Sequence, residues 1–529
     1  MARLGRLLPG ALLALGMLTA ATQAHAQTPG TTAPPAAQRG LPSLGDAGML
    51  TPLEERKLGD SIIRDLYRDP DYIDDPVVGE YVDGIWQALL KGARARGELP
   101  EELEERFAWE VLLGRDRSIN AFALPGGYFG LHLGLVGVVT TRDELASVLA
   151  HEMTHITQRH IARMLSQQSR QTPLMMAAMI VGMIAASKNP QAGTAIAVGG
   201  QAALIQAQLN YSRDMEREAD RIGYGVLEQA GFAPRGFTGM FEKLQSASRL
   251  SDNGDWPYLR SHPLTTQRIA DMQQRQRSQG LNPAAAPPPD LQAQLIAARS
   301  RVLGRPGVDV LRAWAAEPEG PGFSAQPLPR RVGVLYAAAL SHAQLRDLPR
   351  AQALATQLAL AVAGDVPAAR QARLLQAELA LQAGQPARVL TLLPPGSQPP
   401  ASADGKGQAG RPELLMRAAA LTQTGQANEA SSSLQPWVSD RPRDAGAWQA
   451  LAAAYAAQNQ VLRSLRAEGE ARVAQRELAG AVDRFRAAQD YSRTNPGGNA
   501  DLIEASIIDA RLRETQAALA QQRADEAKR

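Results

Sequence analysis

Leu145-Ala146-Ser147-Val148-Leu149-Ala150-His151-Glu152-Met153-Thr154-His155 carries two histidines four residues apart, with a glutamate directly after the first. On a helix, positions four apart share one face. His151 and His155 can then present imidazole nitrogens to a single ion, and Glu152 lies within reach of a water on that ion. Two neutral ligands beside a general base are what a zinc hydrolase requires. The apolar run Leu145 to Ala150 would bury the helix against a core. Asp143 and Glu144 fall in its first turn, where acidic side chains complement the helix dipole. The spacing predicts a helix running on to about Gln168. Such a motif arises by chance in about one sequence in a hundred, so the reading needs a third ligand.

A downstream segment offers one. In Glu216-Arg217-Glu218-Ala219-Asp220 the outer two acids are again four apart. Glu216 as ligand would complete a His-His-Glu set with one open position. Asp220 would reach the far nitrogen of a ligating histidine and fix its tautomer. Glu218 falls about 200° round the helix and should point away. The competing reading is an ion-paired helix surface, since Arg213, Arg217 and Arg221 are interleaved. The other histidines receive ordinary readings. His132 is a core histidine in a strand, His160 lies off the metal face, and His342 has no metal-spaced partner.

Ahead of the motif the period changes from helical to alternating. Trp109 to Leu113, Ile119 to Leu124 and Tyr128 to Leu133 read as strands, the last two joined by the turn Pro125-Gly126-Gly127. The second strand is either ordinary sheet core or an edge on which an extended substrate could add.

The His151–His155 motif, Glu216-x-x-Ala219-Asp220, the segment Asn120 to Gly127 and Ser261-His262-Pro263 together resemble the metallopeptidase family of HtpX and the CAAX prenyl proteases. The resemblance covers roughly 51–275. It implies a zincin-type fold, Glu216 as third ligand, and Asp220 as a catalytic or supporting residue. It also implies that His262 and Arg268 sit over the zinc and steady the developing oxyanion. From chemistry alone, a peptidase needs donors where that charge develops. Alternatively, a nitrogen of His262 fills the open zinc position as a fourth ligand in a resting state. The membrane-spanning helices of HtpX and the prenyl proteases are missing from the sequence, so a prenyl-protein substrate is not implied.

The rest of the chain supplies an address and a second domain. Arg3, Arg6, an apolar run from Leu7 to Thr19 and Ala24-His25-Ala26 read as a signal peptide, residues 1–26. Export to a bacterial periplasm follows. With no cysteine in 529 residues there is no disulfide, thiol nucleophile or thiolate ligand. A net charge of +3, with no basic run interleaved with aromatics, argues against nucleic acid. Residues 27–50 read as a disordered leader and 51–280 as the protease domain, opened by Thr51-Pro52-Leu53-Glu54. The apolar stretch 174–186 is shorter than the roughly 20 residues that span a bilayer. It is either a buried hairpin or a surface for membrane or partner.

Residues 281–290 read as a Pro/Ala linker, and 291–529 as an all-helical repeat domain. Trp448, Leu451, Ala452 and Tyr455 fit the first helix of a tetratricopeptide unit. Ala418, Leu421, Ala430, Leu434 and Pro442 fit the preceding one, and Ala481, Phe485 and Ala488 resemble another second helix. Turns recur at Asp347, Gly384, Gly425 and Asn459. Repeats contact only their neighbours, so this domain is expected to fold apart from the protease.

The expected whole is α+β and mostly α: a metalloprotease domain with a small sheet, then helical repeats. Its expected activity is zinc-dependent endoproteolysis, with water on zinc activated by Glu152. An exported protease with such repeats resembles the family members that act in quality control and assembly of outer-membrane proteins. The resemblance implies misfolded or stalled outer-membrane proteins as substrates, and assembly machinery bound through the repeats. The alternative is a chaperone-like binding module in which proteolysis is secondary or latent.

Overall fold

The computed structural model describes residues 50–167, 213–250, 257–281, 288–396, 410–495 and 499–527. The expected signal peptide, nearly all of the leader, the apolar stretch 174–186 and most of the linker lie outside these residues.

Thr51 opens α1 (Pro52–Arg68) with a reciprocal capping box: its side chain accepts from the Glu54 backbone, and the Glu54 carboxylate answers to the Thr51 backbone. The apolar residues keep helical spacing in the sequence to about Leu90, but the helix stops at Arg68. Pro70 lacks an N–H and disfavours helix at Asp69. The chain makes a two-residue strand, β1 (Tyr72–Ile73), before Asp75 caps α2 (Pro76–Ala95). After α3 (Glu101–Arg106) come three strands close to their expected places: β2 (Glu110–Gly114), β3 (Ala121–Leu124) and β4 (Tyr128–His132). The sheet order is β1-β2-β4-β3, with β2 and β4 parallel and the other pairs antiparallel. β3 therefore stands at an edge. Its turn to β4 needs glycine: Gly126 and Gly127 have φ of 75° and 82°, and a Cβ on Gly127 would lie 2.6 Å from Phe107 Cβ.

α4 (Leu133–Val136) leads to α5 (Arg142–Thr157), whose residues are buried from Glu144 to Thr157. A helix buried all round belongs at the centre of a core. The expected run to Gln168 is broken. Arg159 takes a left-handed φ of 52°, and a separate helix, α6 (His160–Gln167), starts after it. The Arg159 side chain is anchored on Glu55 and on the Leu50 carbonyl. Then come α7 (Arg213–Gln229), α8 (Arg235–Leu250), α9 (Pro257–Ser261) and α10 (Thr266–Ser278). α7 and α8 both pack on α5.

From α11 (Leu291–Leu303) onward the described chain is helical, apart from its turns. Antiparallel pairs follow one another, among them Leu328–Gln344 with Leu348–Ala361 and Ala445–Ala457 with Val461–Ala474. The expected turns fall between the helices of pairs. Gly384, Gly425 and Asn459 have positive φ there, and Asp347 caps the second helix of its pair. Trp448, Leu451, Ala452 and Tyr455 lie in one core with Ala418, Leu421, Ala430 and Leu434. Ala481, Phe485 and Ala488 point inward from Leu478–Thr494, the helix after the pair ending at Ala474. They share one core with Leu462 of the preceding helix, and Phe485 lies against Gly469 there.

The helical region does not stand apart. From Gly48 onward the chain is one compact unit. Leu374, Ala377, Val389, Leu393 and Met416 join the same apolar core as Trp86, Phe129 and Leu149. Three arginines rivet the regions together. Arg299 is bidentate on Asp75 at 2.9 and 2.6 Å and also meets Glu378. Arg370 bridges Glu80 and Glu413, and Arg411 bridges Asp74 and Asp444. The expectation of independent folding thus meets a shared interface, because the stacked hairpins bury their inner faces against α2 as well as each other.

Removing Arg299 would strand the Asp75 charge, which is only 6 % exposed. Breaking a buried pair in this way costs about 3–5 kcal/mol. Arg299→Ala should lower the urea midpoint accordingly, whereas Arg312→Ala, at an exposed pair with Asp309, should leave it nearly unmoved. Equal midpoints for the two variants would show that the rivet contributes nothing.

Candidate metal centre and active site

The site forms where α7 crosses α5. Gly223 permits the crossing: a Cβ there would lie 3.0 Å from the Ala150 carbonyl oxygen and 3.2 Å from the His151 nitrogen. With Ala219 also buried at the contact, the backbones approach closely, and Glu216 and Asp220 face His151 and His155.

His151, His155, Glu216 and His262 converge, each offering one ligand atom and all within 4.8 Å of one another. His151 Nε2 is 3.0 Å from His155 Nε2 and 3.4 Å from His262 Nδ1. Glu216 oxygens lie 3.4 Å from His151 Nε2, 3.5 Å from His155 Nε2 and 2.9 Å from His262 Nδ1. A tetrahedral ion with bonds of roughly 2.0–2.1 Å holds its ligand atoms about 3.3–3.4 Å apart. The four side chains fit a zinc-sized cation both in donor chemistry and in spacing.

Around this set lies a second layer. Asp220 Oδ1 accepts from His151 Nδ1 at 3.0 Å, which leaves the Nε2 lone pair directed at the cluster. Arg268 grips Asp220 with two bonds, 2.6 and 2.8 Å, and reaches Glu216 Oε2 at 2.7 Å and the Pro263 carbonyl at 3.0 Å. The guanidinium thus braces two carboxylates from the side. Burial would push the Asp220 carboxyl up, but Arg268 outweighs it and holds the group below its ordinary range. Burial lowers His151, and Glu216 and Asp220 more than reverse this, to about 9.

Glu152 is wholly buried, and burial raises its proton affinity. Its Oε2 accepts from the Ala123 N–H of the edge strand at 3.2 Å, so helix and strand fix the carboxylate together. Its Oε1 lies 3.4 Å from His262 Nε2. His262 therefore touches the ligand cluster with one nitrogen and faces the expected base with the other.

Two residues escaped the sequence reading. Tyr258, four before His262, packs its ring against that histidine, with centroids 4.8 Å apart, and stands close to Glu152. The i, i+4 spacing of Tyr258 and His262 was the available signal. His160 is outside the ligand cluster but not remote from it. The break at Arg159 turns it back, and its Nδ1 lies 2.7 Å from His155 Nδ1. Glu218 does point away from the cluster, yet it bonds to His160 at 3.1 Å. His132 is buried and bonded to Ser118 Oγ, as an ordinary core histidine is. His342 is buried near Asp347 in the helical region, away from the cluster.

Comparison with known proteins agrees with this geometry. Residues 87–276, which contain every side chain of the cluster, match peptidase family M48. A Vibrio cholerae relative is 36 % identical over 324 residues, covering 60 % of this chain and 63 % of its own. The beta-barrel assembly-enhancing protease of Yersinia pestis is 32 % identical over 300 residues, 56 % of this chain and 58 % of that one. Its Escherichia coli (strain K12) counterpart is 34 % identical over 259 residues, covering 48 % and 51 %. The chain thus spans less than two thirds of the length of these curated relatives. Among the described residues no helix is long and apolar enough to cross a membrane.

One zinc per chain is expected by elemental analysis. His151→Ala, His155→Ala and Glu216→Ala should each lose it, since a catalytic zinc is held by three protein ligands and these are the three that remain when His262 leaves. A Glu216→Ala protein with a full equivalent of zinc would remove Glu216 from the set.

Proposed function

We propose that this chain is a zinc-dependent endopeptidase of bacterial outer-membrane protein assembly, held latent at rest by His262. The observation that carries the reading is the convergence of His151, His155, Glu216 and His262 beside the buried carboxylate of Glu152. A zinc ion held there supplies Lewis-acid polarisation of water and of the scissile carbonyl.

The remaining work falls to the chain's own residues. Glu152 takes the proton of the attacking water and returns it to the leaving amine. Its raised proton affinity suits a base that must later act as an acid. Asp220 keeps His151 in the ligating tautomer, and Arg268 holds Asp220 and Glu216 in register. An extended substrate would add to the β3 edge, whose Ala123 already bonds Glu152. His262, once off the cluster, is placed to donate toward the developing oxyanion, with Tyr258 alongside.

Latency is supported by burial. Glu152, Tyr258 and His262 are all closed off from solvent, and His262 Nδ1 stands among the ligand atoms. A protease working among unfolded clients needs such restraint. The names of the similar proteins, a signal-like N-terminus and the helical hairpins support a periplasmic role in which the hairpins, read as tetratricopeptide repeats, bind stalled outer-membrane proteins or the assembly machinery.

Casein cleavage and zinc content together test this reading. Glu152→Gln should keep the ion and the fold while abolishing cleavage, and residual activity above a few per cent would end its role as base. His262→Ala should raise cleavage if the imidazole occupies the fourth ligand position at rest. A fall of about 10²–10³-fold would instead mark His262 as a transition-state donor only.

A further inference from the structure

His155 turns its Nε2 toward the ligand cluster and its Nδ1 the other way. Nδ1 lies 2.7 Å from Nδ1 of His160. His160 Nε2 in turn lies 3.1 Å from Glu218 Oε2, on which Arg163 Nη1 also closes at 3.0 Å. His160 is fully buried, so both nitrogens of the imidazole are held away from solvent.

The protons in this row can be assigned from one end. An ionised carboxylate only accepts hydrogen bonds, and the Arg163 guanidinium beside it favours that ionised form. His160 must then carry its proton on Nε2, pointing to Glu218. A neutral imidazole protonated on Nε2 presents a lone pair at Nδ1. At 2.7 Å that lone pair requires a donor opposite, so His155 carries its proton on Nδ1. The tautomer that results directs the His155 Nε2 lone pair at the cluster. Read in reverse, a proton on His160 Nδ1 would force His155 to hold its proton on Nε2, where it could not ligate.

We infer that His160 and Glu218 are positioning residues for the metal: a relay of one imidazole and one carboxylate that locks His155 in its ligating tautomer. Asp220 does this directly for His151 at 3.0 Å. On the His155 side the carboxylate comes from the opposite face of α7 and cannot reach, so an imidazole spans the distance. The break at Arg159 makes this possible. In a continuous helix, residue 160 would lie about 140° round from His155. The left-handed Arg159 instead brings the first residue of α6 back against it. This inference rests on the proposed metal site.

The test measures zinc affinity of the full chain by competition with a chromogenic chelator, together with the melting temperature of the metal-stripped protein. Wild type is compared with His160→Phe, His160→Asn and Glu218→Ala. Phe fills the space but accepts nothing, and should raise the zinc Kd by about 10–100-fold, the usual effect of losing a metal ligand's outer partner. Asn offers an oxygen near the Nδ1 position and should recover affinity to within a few-fold of wild type. Glu218→Ala should weaken binding in the same direction by less. Wild-type affinity in the Phe variant would overturn the relay, as would equal weakening in Phe and Asn that tracks a lower melting temperature. Wild-type affinity in Glu218→Ala would remove the carboxylate from it. Should wild type itself take up no zinc, the metal site fails, which is a different result from tight wild-type binding with indifferent variants.

Discussion

The close crossing of α7 over α5 at Gly223 and Ala150 is the constraint on which the site depends. Neither helix carries a complete ligand set. α5 gives two imidazoles and the carboxylate proposed as base, and α7 gives the carboxylate proposed as third ligand and the acid that bonds His151. Glycine lets the two backbones approach closely here, since a Cβ would press on the Ala150 carbonyl. The burial of α5 from Glu144 to Thr157 follows from the same packing. Polar ligands in such a place must satisfy one another, and that accounts for the density of bonds among them.

Those bonds form two layers with different roles. The inner layer would be completed by a cation. The outer layer consists of charge pairs that hold inner side chains in one tautomer and one rotamer: Arg268 on Asp220 and Glu216, and Arg163 on Glu218. Arg268 is the clearest case of a residue whose expected task differs from its contacts. The family resemblance put it over the zinc, near the oxyanion. Its contacts with Asp220, Glu216 and the Pro263 carbonyl are those of a brace, a task for which a rigid planar fork is suited.

A similar economy joins the two halves of the chain. Arg299, Arg370 and Arg411 each span an acid near the start of α2 and an acid on the helical hairpins. Buried arginines shared between two acids favour one relative placement of the layers, because any other leaves a charge without its partner. The helices that carry the site therefore sit in a frame that the hairpins help to define.

By itself the sequence determined the elements whose signal is local. A four-residue spacing is geometry within a single helix, so His151 with His155, and Glu216 with Asp220, could be read directly. Alternation and a Gly-Gly turn placed β2, β3 and β4 to within about two residues, and the capping pattern at Thr51 placed the first helix. The hairpin turns were legible because they need glycine, asparagine or a capping aspartate. Tertiary structure alone decided the rest, for one physical reason: these features depend on what the chain meets, not on its period. A left-handed Arg159, held by Glu55 and Leu50 from the far side of the domain, broke a helix that looked continuous and turned His160 from a bystander into a partner of His155. The two-residue β1 exists only because β2 is there to pair with it. Tyr258 and His262 come close to Glu152 only because the short helix that carries Tyr258 and ends just before His262 is folded over the cluster, and the hairpins share one core with α2 because both their apolar faces and their arginines find partners there.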